Sequence, residues 1–153
     1  MAGSRHAVEH MPQSDLDRLI CTISIDGVGT WGAADHCFVA GSEAIANRAR
    51  DLYRSSAMDV SHAYFGSDSE MFAMRGVPGF SFGQSGPALG LLHTTNDELA
   101  MIDPAALTRC GRLVQQLIGD LGQHPAEWNE LREVPFRTSE GIRNILGKSG
   151  WLD

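Results

Sequence analysis

The feature that most restricts the fold of this chain is a run of alternating hydrophobic residues over positions 19–25. Alternation with a period of two, rich in β-branched residues, is typical of a β-strand with one buried face. The face consists of Leu19, Cys21, Ile23 and Ile25. The segment Asp26–Gly29 follows, and its two glycines permit a sharp turn that leaves a carboxylate at the carboxyl end of the strand.

Helical patterns alternate with further strand patterns along the chain. Ser42 is suited to cap a helix that extends to Tyr53, and Asp103 precedes the clearest helix, which extends to about Leu121. Short strands are predicted over residues 37–39, 62–65 and 77–82, with a glycine-rich loop over 83–90. This alternation predicts an α/β fold built on a layered sheet, in which ligands bind beyond the carboxyl ends of strands. Residues 122–153 are more polar and are predicted to form a helical appendage to residues 1–121.

Composition excludes several classes of function. The chain has 153 residues and a net charge of -7, without a Lys/Arg run, so it lacks the positive surface that nucleic-acid binding requires. No segment approaches the roughly 20 apolar residues that cross a bilayer, so no membrane partner is expected. Three widely spaced cysteines predict neither a disulfide framework nor a metal knuckle. The first residues lack the apolar segment of a secretory signal, and the compartment stays open.

Two residues are candidates for chemistry, because one ends a strand and the other ends a glycine-rich loop. They are Asp26 and His93. Taken alone, an Asp after a strand is more often a turn residue, and a loop His is more often a surface residue. The motifs around them change that balance.

Four motifs occur in the order in which one family carries them. They are Ile-Asp-Gly-Val-Gly at 25–29, Gly-Ser-Asp at 66–68 with Phe72, Gly-Val-Pro at 76–78, and His-Thr-Thr-Asn-Asp at 93–97. Together they resemble the di-zinc aminopeptidases of metallopeptidase clan MH, family twenty-eight. The resemblance covers about residues 3–121.

The resemblance implies a mixed β-sheet flanked by helices, a partial zinc-aminopeptidase (phosphorylase/hydrolase-like) fold without its N-terminal part. It also implies two zinc ions and a peptide or aminoacyl substrate. Asp26 matches the Asp that holds one zinc, and His93 matches the His that holds the other. Carboxylate and imidazole both suit zinc, which acidifies water for attack on a peptide carbonyl. Asp97 is expected to orient this loop or its imidazole, and Trp31 is a candidate for the substrate pocket, although packing is the commoner role of all three tryptophans.

The resemblance also shows what the chain lacks. The remaining ligands, with the Glu that serves as general base, are expected upstream, because residues 3–12 resemble the helix that follows the Glu-Glu motif of the family. No catalytic residue is therefore expected within this chain, which alone should be a poor enzyme. Ser69 stands where the family usually has His, and Leu92 stands where some members have Tyr.

Three other interpretations remain. His6-Ala-Val-Glu-His10 matches the inverted zincin motif, but a solvated amphipathic helix is the favoured reading of so short a motif. The chain could be a non-catalytic remnant or binding module, or one half of a split enzyme. Missing neighbours of the strand over 19–25 would also leave an open sheet edge, which predicts self-association.

Overall fold

A computed structural model describes residues 1–148 and 150, apart from the side chain of Ala88, and its centre is a four-stranded β-sheet. The strands are β1 (Thr22–Ile25), β2 (Ala34–Ala40), β3 (Asp59–Ser61) and β4 (Gly79–Ser85). The helices are α1 (Ala2–His10), α2 (Gln13–Leu16), α3 (Glu43–Tyr53), α4 (Asp68–Ala73), α5 (Pro104–Gln123), α6 (Pro125–Glu130) and α7 (Phe136–Lys148). Two short 3-10 helices cover Pro87–Leu91 and Leu99–Met101.

The sheet is mixed, with the strand order β1-β4-β2-β3. Strand β4 runs parallel to β1 and antiparallel to β2, and β3 runs parallel to β2. The predicted mixed α/β fold is therefore confirmed. Among the described residues, no helix is both long and apolar enough to cross a bilayer.

Strand β1 lies at one edge of this sheet, with β4 as its one described neighbour. Its last residue, Ile25, is 53% exposed. An unpaired edge offers backbone groups to another chain. Self-association through this edge stays a prediction.

Two helix starts form as the sequence predicts. The Ser42 hydroxyl accepts a hydrogen bond from the Ile45 N–H at 3.3 Å, and the Asp103 carboxylate accepts one from the Ala105 N–H at 2.9 Å. Each side chain satisfies a backbone donor that the first turn of a helix leaves without a partner.

The strand predicted over residues 62–65 is wrong. The strand is Asp59–Ser61, and its pairing with β2 ends at Ser61, opposite Phe38. The Phe65 and Gly66 N–H groups donate instead to the carboxylate of Glu70, at the start of α4. The Glu70 side chain thus accepts hydrogen bonds from backbone N–H groups at the end of the predicted strand, which are then not available for pairing in the sheet.

The predicted loop over 83–90 begins too early, because β4 continues to Ser85 and pairs there with Ala34. At Gly83 the ring of Phe65 packs against the strand, since an added Cβ would lie 3.3 Å from its Cε1 atom. The glycine that suggested a loop is therefore needed for close packing.

The sheet separates two hydrophobic cores. The first lies between the sheet and helices α3, α5 and α6, and the second lies among α1, α2, α4 and α7. Trp128 of α6 is fully buried in the first core, where its ring meets that of Phe80 edge-on at 5.8 Å, and Ile142 and Leu146 of α7 are buried in the second. The boundary predicted at residue 121 stays a prediction, and Trp151 lies outside the described residues.

Helix α5 allows a matched test of this packing. Leu117 is fully buried, whereas its neighbour Ile118 is 54% exposed. Leu117→Ala should lower the free energy of unfolding by about 2–5 kcal/mol, because it opens a cavity in the first core. Urea denaturation followed by circular dichroism measures the effect. Ile118→Ala should change stability by less than about 1 kcal/mol, and equal losses in the two variants would contradict the packing described here.

Candidate functional site

Asp26 lies directly after β1, at the edge where the sequence predicts a ligand site. Its N–H donates to the Phe82 carbonyl at 2.9 Å, which extends the pairing of β1 with β4 by one residue. Its side chain is exposed. The backbone of Asp26 is thus fixed by the sheet, while the carboxylate faces solvent.

The turn after Asp26 packs against the segment that precedes His93. Gly27 has a φ of 61°, and an added Cβ would lie 3.5 Å from Leu92 Cδ1. Each predicted ligand is therefore one residue away from this contact. Zinc coordination by the pair stays a prediction.

His93 has an unusual backbone conformation. Its φ of 64° lies in the left-handed region, where residues other than glycine are uncommon. Such strain is often found at ligand sites. Within the described residues, neither the imidazole of His93 nor the carboxylate of Asp26 has a hydrogen bond or an ion pair, so the coordinating atoms of both are available.

The other two predicted residues are placed without a decisive contact. Asp97 is exposed, and its N–H donates to the Thr94 carbonyl at 3.2 Å, so the 93–97 segment forms a turn. A role for its carboxylate in orienting the imidazole stays a prediction. Trp31 is 60% exposed, so the expectation that it packs in the core is wrong, and its role in a substrate pocket stays a prediction.

The donors suit zinc in type but do not complete a site. Among residues 1–148 and 150, no group of three or more His, Cys, Asp or Glu side chains could hold a metal ion. Hydrolytic zinc normally has three protein ligands and an open position for water. The two donors can therefore form only part of such a site.

The inverted zincin motif on α1 does not form a metal site either. The carboxylate of Glu9 accepts a hydrogen bond from Arg5 at 2.9 Å, which, with the contribution of the charge, lowers its pKa. The rings of His6 and His10 lie 4.1 Å apart, and His10 Nδ1 lies 2.8 Å from the His6 carbonyl oxygen. The favoured reading, a surface helix, agrees with these local contacts.

A buried glutamine holds the loop after Asp26, and sequence reasoning missed it. Gln84 of β4 is 3% exposed, and its side-chain oxygen accepts hydrogen bonds from the N–H groups of Gly29 at 2.5 Å and Thr30 at 3.1 Å. A side chain thereby satisfies two backbone donors of a segment that also forms an isolated β-bridge, between Thr30 and Ile102. The loop that carries Asp26 and Trp31 is therefore fixed to β4.

The amide of Gln84 is oriented by a buried ion pair. Its Nε2 donates to Asp35 at 2.5 Å, and the second carboxylate oxygen of Asp35 accepts a hydrogen bond from Arg109 of α5. Asp35 is 3% exposed, on the buried face of β2. An acidic residue at a buried strand position needs such partners, and this is the signal in the sequence that could have revealed the network.

Helix α4 is attached to the sheet by hydroxyl groups at the point where the family usually has His. The Oγ atoms of Ser69 and Ser81 lie 2.7 Å apart, and those of Ser67 and Ser81 lie 2.5 Å apart. An added Cβ at Gly79 would lie 2.9 Å from Ser69 Cβ, so the helix lies directly on the strand. The small hydroxyl cluster thus takes the place of an imidazole.

A cavity of about 700 Å³ lies elsewhere, along α5. Its lining residues are Pro104, Ala105, Thr108, Arg109, Arg112 and Leu113. Neither predicted metal ligand lines it. We therefore place the candidate site at the motif residues Asp26 and His93 and not in this cavity.

Comparison with known proteins agrees with the motifs. The model of peptidase family M28 matches residues 1–118. The chain belongs to this family. No curated protein matches the chain.

Two solved structures of BSAP, a zinc aminopeptidase from Bacillus subtilis, share the fold of this M28 chain. The TM-scores are 0.64 and 0.62, at 23% and 22% sequence identity. Each match covers 78% of this chain but 32% of the BSAP chain, so the present chain spans about a third of BSAP. At this identity the likeness establishes the fold alone.

The role of Gln84 can be tested by Gln84→Ala. The variant leaves the buried N–H groups of Gly29 and Thr30 without an acceptor, which should cost about 1–3 kcal/mol of unfolding free energy. The amide protons of both residues should also exchange faster with solvent. Gln115→Ala, at an exposed position of α5, is the control and should change neither quantity appreciably. Unchanged exchange at Gly29 and Thr30 would contradict the assigned role.

Glu70 gives a pH-dependent test. Burial raises its pKa above the ordinary value of 4.5, although the hydrogen bonds from Gly66 and Phe65 oppose the shift. Because the folded state holds the proton more tightly, the stabilisation from Glu70 is complete below 4.5 and is lost as the pH rises through the raised pKa. Glu70→Gln should therefore gain stability relative to the wild type between pH 4 and pH 7, as measured by urea denaturation. Glu98→Gln, at an exposed position, should show no such trend.

Proposed function

We propose that this chain is part of a zinc-dependent hydrolase that cleaves N-terminal peptide bonds, with Asp26 and His93 as two of its metal ligands. The observation that carries the proposal is the packing of the Gly27 turn on Leu92, because it joins the two motif segments at the edge of the sheet. The free coordinating atoms of both side chains support it. The membership of family M28 gives the reaction class.

Asp26 and His93 would hold zinc through a carboxylate oxygen and an imidazole nitrogen, both of which are ligands that zinc prefers. Zinc, when bound, acidifies water and polarises the peptide carbonyl. The chain itself contributes position: β4 fixes the backbone of Asp26, and Gln84 fixes the loop that follows it. Two zinc ions, as the family resemblance implies, belong to the same proposal.

Trp31 and Asp97 have supporting roles in this proposal. Trp31 lies on the loop that Gln84 fixes, and its exposed ring is available to contact the side chain of an aminoacyl or peptide substrate. Asp97 orients the turn that carries His93. Both roles depend on the metal site and fail with it.

The remaining ligands and the general-base glutamate come, in this proposal, from outside residues 1–153. The lack of any three-donor cluster among the described residues supports this part, as does the greater length of BSAP. A second segment of the same protein or the partner of a split enzyme could supply them. The same lack of a complete donor set also favours the alternative that the chain is a binding module without hydrolytic activity.

Zinc titration followed by amide NMR tests the metal site. Zinc should shift the signals of residues 26–28 and 93–95 in one saturable event, and Asp26→Ala and His93→Ala should each remove it. His124→Ala is a matched control, because His124 is a surface histidine 3.5 Å from Glu127 and 3.8 Å from Asp120. Binding that depends on His124 and not on Asp26 would contradict the proposed ligands.

Activity measurements separate the incomplete site from a complete one. The 153-residue chain with zinc should release no nitroaniline from leucine p-nitroanilide, because the base and further ligands are missing. Addition of a polypeptide that carries those ligands should restore turnover in the wild type but not in Asp26→Ala. Turnover by the chain alone that is lost in Asp26→Ala would contradict the incomplete site, while zinc binding without restored turnover would favour the binding module.

A further inference from the structure

Three polar side chains form a continuous hydrogen-bonded relay on the sheet, apart from the candidate zinc ligands. His36 of β2 places its Nδ1 atom 3.1 Å from Asp59 Oδ2 and its Nε2 atom 2.6 Å from Ser85 Oγ. A hydroxyl, an imidazole and a carboxylate in this order are the parts of an activated serine nucleophile.

The register of the sheet produces this arrangement. His36 pairs with Asp59 of β3 on one side and with Gly83 of β4 on the other, and Ser85 pairs with Ala34. Paired residues, and residues two apart on a strand, lie on one face of a sheet. The three side chains therefore share a face.

The partners of His36 determine which ring nitrogen carries the proton. An ionised carboxylate can only accept, so the Nδ1–H group donates to Asp59. The Nε2 atom of a neutral ring then accepts, and the hydroxyl of Ser85 donates to it. This is the protonation state in which a histidine acts as a general base on a serine.

The environment leaves the hydroxyl accessible beside an aromatic surface. Ser85 is exposed, and the side chain of His36 retains 22% of its exposure. The ring of His36 stacks on Phe38 at 5.8 Å, and Phe38 stacks on Phe65 at 4.9 Å. These rings favour a small, uncharged substrate with an aromatic leaving group.

We propose that Ser85, His36 and Asp59 form a second hydrolytic site, which cleaves small aryl esters through an acyl group on Ser85. Ser85 Oγ bonds to the ester carbonyl carbon as its proton moves to His36 Nε2. The bond from this carbon to the aryloxy oxygen breaks, and the leaving phenoxide takes the proton from His36. Water, deprotonated by His36, then bonds to the acyl carbon. The bond from this carbon to Ser85 Oγ breaks as Oγ takes the proton back from His36, which releases a carboxylic acid and restores Ser85 and neutral His36. Ser85 and His36 are the catalytic residues, and Asp59 is a positioning residue that acts through His36.

Labelling with a fluorophosphonate probe tests the nucleophile in the full chain. Mass spectrometry should find the probe on Ser85, and p-nitrophenyl acetate should give a burst of nitrophenol followed by slow turnover. Ser85→Ala should abolish both signals, and His36→Ala should lower the labelling rate by about 100-fold, the usual contribution of a general base. Ser55→Ala is the control, since Ser55 is an exposed serine outside this group of three residues, and it should leave labelling unchanged.

Several results would overturn the proposal. They are absence of labelling in the wild type, labelling that persists in Ser85→Ala, and labelling that His36→Ala leaves unchanged. The reaction should also be insensitive to EDTA, because it uses no metal. Loss of labelling with EDTA would assign the reaction to the zinc site and overturn this one, so the two proposals fail separately.

Two further measurements test the contacts among Ser85, His36 and Asp59 separately from any effect of the substitutions on folding. In ¹⁵N spectra of the His36 ring, the wild type should show the Nδ1–H tautomer, and Asp59→Asn should change that tautomer while the thermal midpoint stays the same. Ser85→Cys should react with iodoacetamide about tenfold faster than Ser85→Cys combined with His36→Ala, because a nearby imidazole favours the thiolate. Burial raises the pKa of Cys21 to about 12 and also raises those of Cys37 and Cys110, so the new thiol can be followed alone. An unchanged tautomer or equal alkylation rates would refute the relay.

Discussion

The rest of the structure depends on the pairing of β4 with β1 on one side and with β2 on the other. Strand β4 is buried along nearly its whole length. Two glycines on one of its faces allow close contacts there: Ser69 of α4 lies on Gly79, and the ring of Phe65 lies on Gly83. The carbonyl of Phe82 fixes the backbone of Asp26, and the side chain of Gln84 fixes the loop that follows. The candidate metal ligand and the loop after it are thus attached to a buried, central strand.

Local signals in the sequence predicted the elements whose cause is local. The caps Ser42 and Asp103 predicted the starts of α3 and α5, because these effects act within a few residues. Alternation predicted a strand over 19–25, but β1 begins at Thr22, and Ile25 of the predicted buried face is 53% exposed because β1 lies at the edge of the sheet. The strand predicted over 62–65 is wrong because the Phe65 and Gly66 N–H groups donate to Glu70. The strand propensity of the residues does not predict this hydrogen bonding. Of the candidate site, the motifs predicted the residue types, whereas the contact of Gly27 with Leu92 required the fold. The buried network of Gln84, Asp35 and Arg109 depends on pairing between distant segments in the same way.

The replacement of the family's usual His by Ser69 shows how a helix can keep its place with smaller groups. Three hydroxyls from Ser67, Ser69 and Ser81 share hydrogen bonds in a buried position, where each oxygen can both donate and accept. Because an added Cβ at Gly79 would lie 2.9 Å from Ser69 Cβ, the helix lies directly on the strand, and the three hydroxyls attach it to the β4 backbone that carries the site.

The two proposed sites lie close together on the sheet yet are chemically separate, and Gly83 is the reason. An added Cβ at Gly83 would lie 3.4 Å from the Asp26 carbonyl oxygen. In the sheet, Gly83 pairs with His36 of β2. The ring of Phe65 occupies the space above Gly83 and stacks on Phe38, next to His36. The imidazole of His36 therefore stacks on these aromatic rings and is hydrogen-bonded to Asp59 and Ser85. Because a zinc ligand must offer a free nitrogen lone pair, His36 cannot serve the metal while it accepts the hydrogen bond of Ser85.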